Sequence, residues 1–325
     1  MKSFEEIYEI IKNEDYSDLE ELRLKEKKKK GIIITLIVSI LLIPPILMFT
    51  EIINSYFLEQ ILPKIMTIFE LIVVVGIISF LFYFLFLLTR IGSSKKPGKK
   101  KYKYLFKERI ISKLISTYDS NLKFDNYLFI QKELYNKAQF EIYDHYSAND
   151  LVFGKIDGII DFKMGDVHTE IESIDSDGNS SYITLFRGLF SSAKLDKNLN
   201  ATIKIRKNRG QSGKGLSGKA KLHMDSAEFE KNFDIYSSDQ ILAMRILTSD
   251  IMDYMVNFTT ENKVKFEITI LNQDLFIRIH CKNMFEASLS KSSIDENILK
   301  EYYTYLNFMC ELNKKFYRII SEKDI

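Results

Sequence analysis

The side chains whose type and spacing come closest to chemistry are His168, Glu170 and Arg187. His168 and Glu170 stand two apart in Gly165–Ser173, a run that alternates like a strand. A strand places both on one face, where an imidazole and a carboxylate can share a proton. Arg187 lies in the next such run, Tyr182–Phe190, and alternates there with Ile183, Leu185 and Leu189. An arginine on an apolar strand face must pair or reach water, and Glu170 in the preceding strand is its natural partner. A structural ion pair, a ligand-binding arginine and an acid/base cluster all stay open at this point.

A second group is basic: Lys204, Arg206, Lys207 and Arg209, continuing to Lys214 and Lys219. Such a patch can follow phosphates of nucleic acid or of lipid headgroups. No aromatic residues are interleaved to stack bases, and the net charge is only +2, so nucleic acid is disfavoured. Within this group, Gly213-x-x-x-x-Gly218-Lys219 has the skeleton of a phosphate-cradling loop. Ala220 replaces the hydroxyl that would hold magnesium, and the flanks are charged, so a hairpin loop is expected instead.

The four histidines are scattered and there is no CxxC pair, so neither a metal nor a cofactor is expected. His280 and Cys281 are adjacent in a strand-like run and should point to opposite faces, which argues against a dyad. Asp175-Ser-Asp177-Gly178-Asn179 has half the ligands of a calcium loop and reads as a hairpin turn.

The elements that must position these residues follow from periodicity. Strands are expected at 151–156, 165–173, 182–190, 201–206 and 219–224, with turns at Asp157-Gly158 and Asp177-Gly178. Residues 264–271 and 275–279 read as a hairpin. Helices are expected at 106–115, 132–140, 238–258 with a break at Thr248-Ser249-Asp250, and 294–320. The fold class is α+β, with an antiparallel or mixed sheet and flanking helices.

Before this domain stand two apolar runs, Gly31–Phe49 and Leu71–Leu88, the second extended backward by Ile65–Phe69 across Glu70. About 20 such residues cross the hydrocarbon core as a helix, so a transmembrane hairpin is expected. Lys25 and Lys27–Lys30 precede it and Arg90 to Lys103 follow it, which sets both termini on the cytoplasmic side. Glu70 is expected at the interface where the second helix begins. The expected organisation is therefore an N-terminal cytoplasmic helix (1–30), spans at 31–50 and 65–89 around an external loop (51–64), a polybasic linker (90–103) and a cytoplasmic domain (104–325). In the N-terminal helix, Ser3 and Glu6 have capping-box spacing; it either lies solvated at the membrane or docks on the domain. Cys281 and Cys310 would be reduced thiols.

Several motifs in order carry a resemblance. They are Asp150-Leu-Val-Phe-Gly154-Lys155-Ile156-Asp157-Gly158, Phe162, Asp166-Val167-His168-Thr169-Glu170, Phe186-Arg187-Gly188-Leu189-Phe190 and Asp196-Lys197-Asn198. Downstream come Glu228-Phe229-Glu230-Lys231 with Phe233, Tyr236-Ser-Ser-Asp239-Gln240 and Ala243-x-x-Ile246-Leu247-Thr248. In these the chain resembles the bacterial domain-of-unknown-function family 3137, over nearly its whole length. Asp166 departs from the expected Ser-Glu, and residues 210–220 are enriched in Gly and Lys. The resemblance implies a two-pass protein of the bacterial inner membrane and carries no activity or catalytic residue across.

Together these readings point to a membrane-anchored cytoplasmic module that binds a protein partner or the anionic inner leaflet. The alternative is an enzyme acting on a lipid or another membrane-proximal substrate through His168, Glu170 and Arg187.

Overall fold

The computed structural model describes residues 1–57, 98–208 and 221–322, with side chains for all of these but 36, 40–57 and 98–100. The chain divides into two units, Ser17–Lys103 and Met1–Tyr16 with Tyr104–Ile325.

The first unit holds one long helix, α2 (Ser17–Phe57), which includes the apolar run from Gly31. The expected second span, 65–89, and the far part of the external loop lie outside the described residues. Among the described residues no helix is long and apolar enough to cross a membrane, and the expected transmembrane hairpin finds no support there. Residues 98–103, expected as linker, are helical as the start of α3 (Gly98–Phe106). Lysine and tyrosine tolerate a helix, and the glycine sits only at its first position.

The second unit begins with α1 (Phe4–Lys12), where the Ser3 hydroxyl and the Glu6 carboxylate close the capping box. This helix docks rather than standing in solvent: Tyr8 donates to the Ile294 carbonyl, and the Phe4 ring lies 5.6 Å from Tyr303. A π turn at Lys107–Ile111 leads into α4 (Ser112–Tyr118). There follow β1 (Leu122–Asp125), α5 (Lys132–Lys137), β2 (His145–Ile156), β3 (Ile160–Ile174), β4 (Ser180–Lys194) and β5 (Thr202–Lys207). The chain continues through β6 (Lys221–Leu222), α6 (Ala227–Asn232), β7 (Phe233–Ser237), α7 (Gln240–Ile246) and α8 (Ser249–Asn262). It ends with β8 (Lys265–Leu271), β9 (Asp274–His280) and α9 (Glu296–Glu322).

Among the described residues the strands form one nine-stranded sheet, ordered β1-β2-β3-β4-β9-β8-β5-β7-β6 and antiparallel at every pairing. The turns carry the residues that suit them. Asp157 and Gly158 both take positive φ between β2 and β3, and Asp175 accepts from the backbone of Asp177 and Asn179 between β3 and β4.

Alternation gives the sheet two unlike faces. One carries Ile203, Ile205, Phe266, Ile268, Ile277 and Ile279, all buried, each contributing about 1.5–3 kcal/mol by leaving water. The helices α8 and α9 cover it: Phe258 and Phe308 stack 3.5 Å apart, and Phe308 lies 5.1 Å from Phe266. The opposite face mixes aromatic and charged residues and is covered by α5 and the segment that follows it. Tyr135 lies 5.0 Å from Phe190 and 6.2 Å from Phe186, and Phe190 stacks on Phe276 at 5.9 Å.

Gly188, where β4 passes β9, has φ 153°, and a Cβ there would stand 1.9 Å from the Ile279 carbonyl oxygen. Gly188→Ala is therefore expected to destabilise the chain by at least about 2 kcal/mol, through backbone strain and a displaced β9. A thermal melt followed by near-UV circular dichroism checks this, and an unchanged transition contradicts the close approach.

Candidate functional site

The pairing of β3 with β4 sets His168 opposite Arg187 and Glu170 opposite Thr184. A register shift between Thr169 and Glu170 leaves Leu185 as an extra residue in β4. That bulge corrects one expectation. Ile183 pairs with Ile171 and so faces away from Arg187, whereas uninterrupted alternation would have put them together.

His168, Glu170 and Arg187 do meet. His168 Nε2 lies 3.4 Å from Glu170 Oε1 and 3.1 Å from Thr184 Oγ1. Arg187 contacts the imidazole and has no ion pair with Glu170 in the described contacts. One terminal nitrogen stands 3.5 Å from Nδ1 and 3.3 Å from Nε2. Near-equal distances to both ring nitrogens place that guanidinium nitrogen over the imidazole ring rather than in line with either ring nitrogen. Arg187 is exposed, while the side chains of His168 and Glu170 retain 19% and 30% of their accessibility.

This geometry is poorly suited to nucleophilic catalysis. An activated hydroxyl needs the base on one ring nitrogen and an orienting carboxylate on the other. Here Thr184 and Glu170 both address Nε2, so neither can act while the other is engaged. Partial burial, and then the Arg187 charge, hold the His168 pKa below its ordinary value, with Glu170 opposing. The sign follows. The folded chain binds less proton at His168 than the unfolded chain does, so this group costs stability as pH falls through the unfolded pKa near 6.5.

Two of the basic residues lie elsewhere. Lys204 and Arg206 are buried in β5, on the sheet face opposite Arg187. Lys204 Nζ donates to the Gln139 carbonyl at 3.3 Å; Arg206 donates to the Ile268 carbonyl at 2.8 Å and to Thr269 Oγ1 at 3.0 Å. Their place in a strand beneath the α5 segment removes them from the expected basic surface. Lys207 is exposed at the end of β5, and Arg209 with the rest of the 210–219 loop lies outside the described residues.

The residues that sequence reasoning missed form the charged centre of that same face. Arg278 of β9 pairs with Glu267 of β8, Nε to Oε2 at 2.7 Å, and with Glu141 beyond α5. It also donates to Tyr135 Oη at 3.1 Å, and the Tyr135 hydroxyl in turn donates to Glu141 at 2.5 Å. Thr169 Oγ1 adds a bond to Glu141 at 3.0 Å. The guanidinium lies 4.3 Å from the Phe140 ring centre and 4.9 Å from that of Phe186. Burial alone would raise the Glu267 carboxyl, yet Arg278 and Arg206 hold it below its ordinary value. The signal that could have found Arg278 is the one read at Arg187: an arginine at strand spacing among apolar residues, Leu275-Phe-Ile-Arg278-Ile.

A second buried set is Lys107, whose ammonium donates to Asp150 at 2.6 Å and to Glu286 at 2.8 Å. Nearby, both Asp166 oxygens accept from the Met284 amide, at 3.1 and 3.0 Å. These contacts fasten residues 284–286 to the sheet. The thiol of Cys281 is pushed up to about 12 by burial, which leaves it a poor nucleophile.

Residues 184–318 match the model of a family described as protein of unknown function (DUF3137), which supports the resemblance over that stretch. It contains Arg187, Glu267 and Arg278 but begins after His168 and Glu170. No curated protein matches the chain. A solved structure described as the crystal structure of the mycobacterial trehalose monomycolate transport factor A, TtfA, aligns with a TM-score of 0.36 and 10% identity. The alignment covers 66% of this chain and 93% of that one. A likeness at that level supports no statement about fold or function.

Replacing Arg187 with alanine removes one of the two influences that depress His168. The His168 pKa, read by proton NMR titration of the ring, is expected below 6.5 in the wild type and higher in Arg187→Ala. An unmoved titration contradicts the contact between Arg187 and the ring.

Proposed function

We propose that this chain is a membrane-tethered binding module, without catalytic activity, that takes a protein partner on the free part of the β3–β4 hairpin. The observation that carries the reading is the reach of that hairpin beyond the sheet. β9 pairs with β4 only over Gly188–Lys194 and the Cys281 amide reaches the Arg187 carbonyl, so Ser180–Phe186 has no strand on its outer side among the described residues. An open strand edge is where an extended partner segment adds its own backbone bonds. The hairpin also leaves large apolar side chains in water: Ile174 at 69% exposure, Tyr182 at 53% and Ile183 at 52%. Side chains of that kind contribute most to protein contacts.

Charge favours a protein over the inner leaflet as occupant. Between residues 170 and 187 the hairpin carries Glu170, Glu172, Asp175 and Asp177 against Arg187 alone. Anionic headgroups would repel such a surface, whereas a partner with basic and apolar side chains suits it. The tether rests on hydropathy: the uncharged run Gly31–Phe49, the second run at 65–89 and the flanking lysines suit two passes through a bacterial inner membrane, termini on the cytoplasmic side. The enzymatic alternative is disfavoured because Thr184 and Glu170 compete for one nitrogen of His168.

The test places a photoreactive amino acid at Ser181 of the full-length chain in native membranes. A cross-link to one protein is expected, weakened about tenfold by Tyr182→Asp with Ile183→Asp, since two apolar anchors are lost. Cross-linking no stronger than from the exposed control position Ile159 would overturn the reading.

A further inference from the structure

A groove remains that plays no part in the reading above. It opens on the charged and aromatic face of the sheet, where β2, β3 and β4 emerge from beneath α5, and has a volume of about 530 Å³. Cavities of this size hold small organic ligands. Leu134 and Phe153, with Phe162 and Ala193, supply its apolar lining, and four lysines line it: Lys137 of α5, Lys155, Lys163 and Lys194.

The register shows how these charges are disposed. Lys155 stands opposite Asp161 and pairs with it at 2.9 Å; Lys194 stands opposite Asp274 and pairs with it at 2.6 Å. Lys163, between those two pairs, faces Phe153 on one neighbour and Ser192 on the other. The ammonium groups of Lys163 and Lys137 have no ion pair or hydrogen bond among the described residues. Four lysines against two aspartates leave the lining with a charge of +2, carried by the two unpaired ammonium groups. A phosphate monoester brings about −1.5 to −2 at neutral pH and offers three acceptor oxygens, whereas a diester or a carboxylate brings only about −1.

We propose that this groove binds a phosphate monoester attached to an apolar body, the phosphate between Lys137 and Lys163 and the body against Leu134 and Phe153. Lys155 and Lys194 serve mainly to neutralise the two aspartates that would otherwise repel it. The same chemistry is offered by a lipid with a terminal phosphate and by a soluble phosphorylated metabolite. The open mouth admits either.

The test measures equilibrium binding to the full-length chain in detergent micelles. Three probes separate the sources: dihexanoyl phosphatidic acid, phenyl phosphate and, as a zwitterionic diester control, dihexanoyl phosphatidylcholine. One or both monoesters should bind and the diester control should bind at least about tenfold more weakly, since it brings a cation with its single charge. Tighter binding of the phosphatidic acid identifies a lipid source, and tighter binding of phenyl phosphate a soluble one. Lys137→Gln with Lys163→Gln should weaken the preferred probe by about tenfold per lysine, the scale of a charge-assisted hydrogen bond. Both substitutions are at exposed positions, and a melt equal to the wild type confirms that the variant is folded. Absence of monoester binding to the wild type, equal binding of the diester control, or undiminished binding to the folded variant would each overturn the proposal.

Discussion

The arrangement on which most of this molecule depends is the buried charge of Arg278. A guanidinium taken out of water costs several kcal/mol unless its donors are satisfied and its charge is matched. Glu267, Glu141 and the Tyr135 hydroxyl do this, and the Phe140 and Phe186 rings close over the group. Two of these five partners lie in the sheet, on β8 and β4. The other three come from α5 and the six residues after it. The ion cluster is therefore the fastening between a sheet and a short segment whose own six-residue helix could not hold a conformation alone.

Several features follow from that fastening. With residues 130–143 held down, Lys204 finds the Gln139 carbonyl and Arg206 finds the Phe140 ring at 4.7 Å, so two further cations can be buried. The same segment supplies one wall of the lysine-lined groove, through Leu134 and Lys137. It does not reach the end of the β3–β4 hairpin, which stays open to solvent. The two faces thus divide the work. The isoleucine-rich face with α8 and α9 supplies the apolar burial and the charged face carries the groove proposed for a ligand, while the open end of the β3–β4 hairpin presents Ile174 and Tyr182 on one side and Ile183 on the other.

Much of this was legible in residues. The capping box of Ser3 and Glu6, the Asp-Gly turns, the 240–262 helices with their break at Thr248 and the β8–β9 hairpin are local devices, and each reads directly from its neighbours. That β3 and β4 bring His168 beside Arg187 was legible too, but the Glu170–Arg187 pair expected from alternation is replaced by contacts of both residues with the imidazole. What escaped was non-local or irregular. Glu141 and Arg278 are separated by 137 positions, and nothing in either neighbourhood names the other. The bulge at Leu185 reversed the side on which Ile183 lies, which alternation cannot anticipate. Lys204 and Arg206 resembled a solvated patch because their burial depends on a segment folded over them from elsewhere in the chain.

The most direct test of this account is amide hydrogen exchange on Arg278→Met, which keeps much of the side chain's bulk and removes its charge. If the ion cluster is the fastening, amides of residues 132–140 lose protection by at least about a hundredfold, the scale of a broken buried pair, while those of α9, which carries no partner of Arg278, change little. Equal protection across residues 132–140 in variant and wild type would contradict it, and would leave the aromatic contacts of Tyr135 as what holds the segment in place.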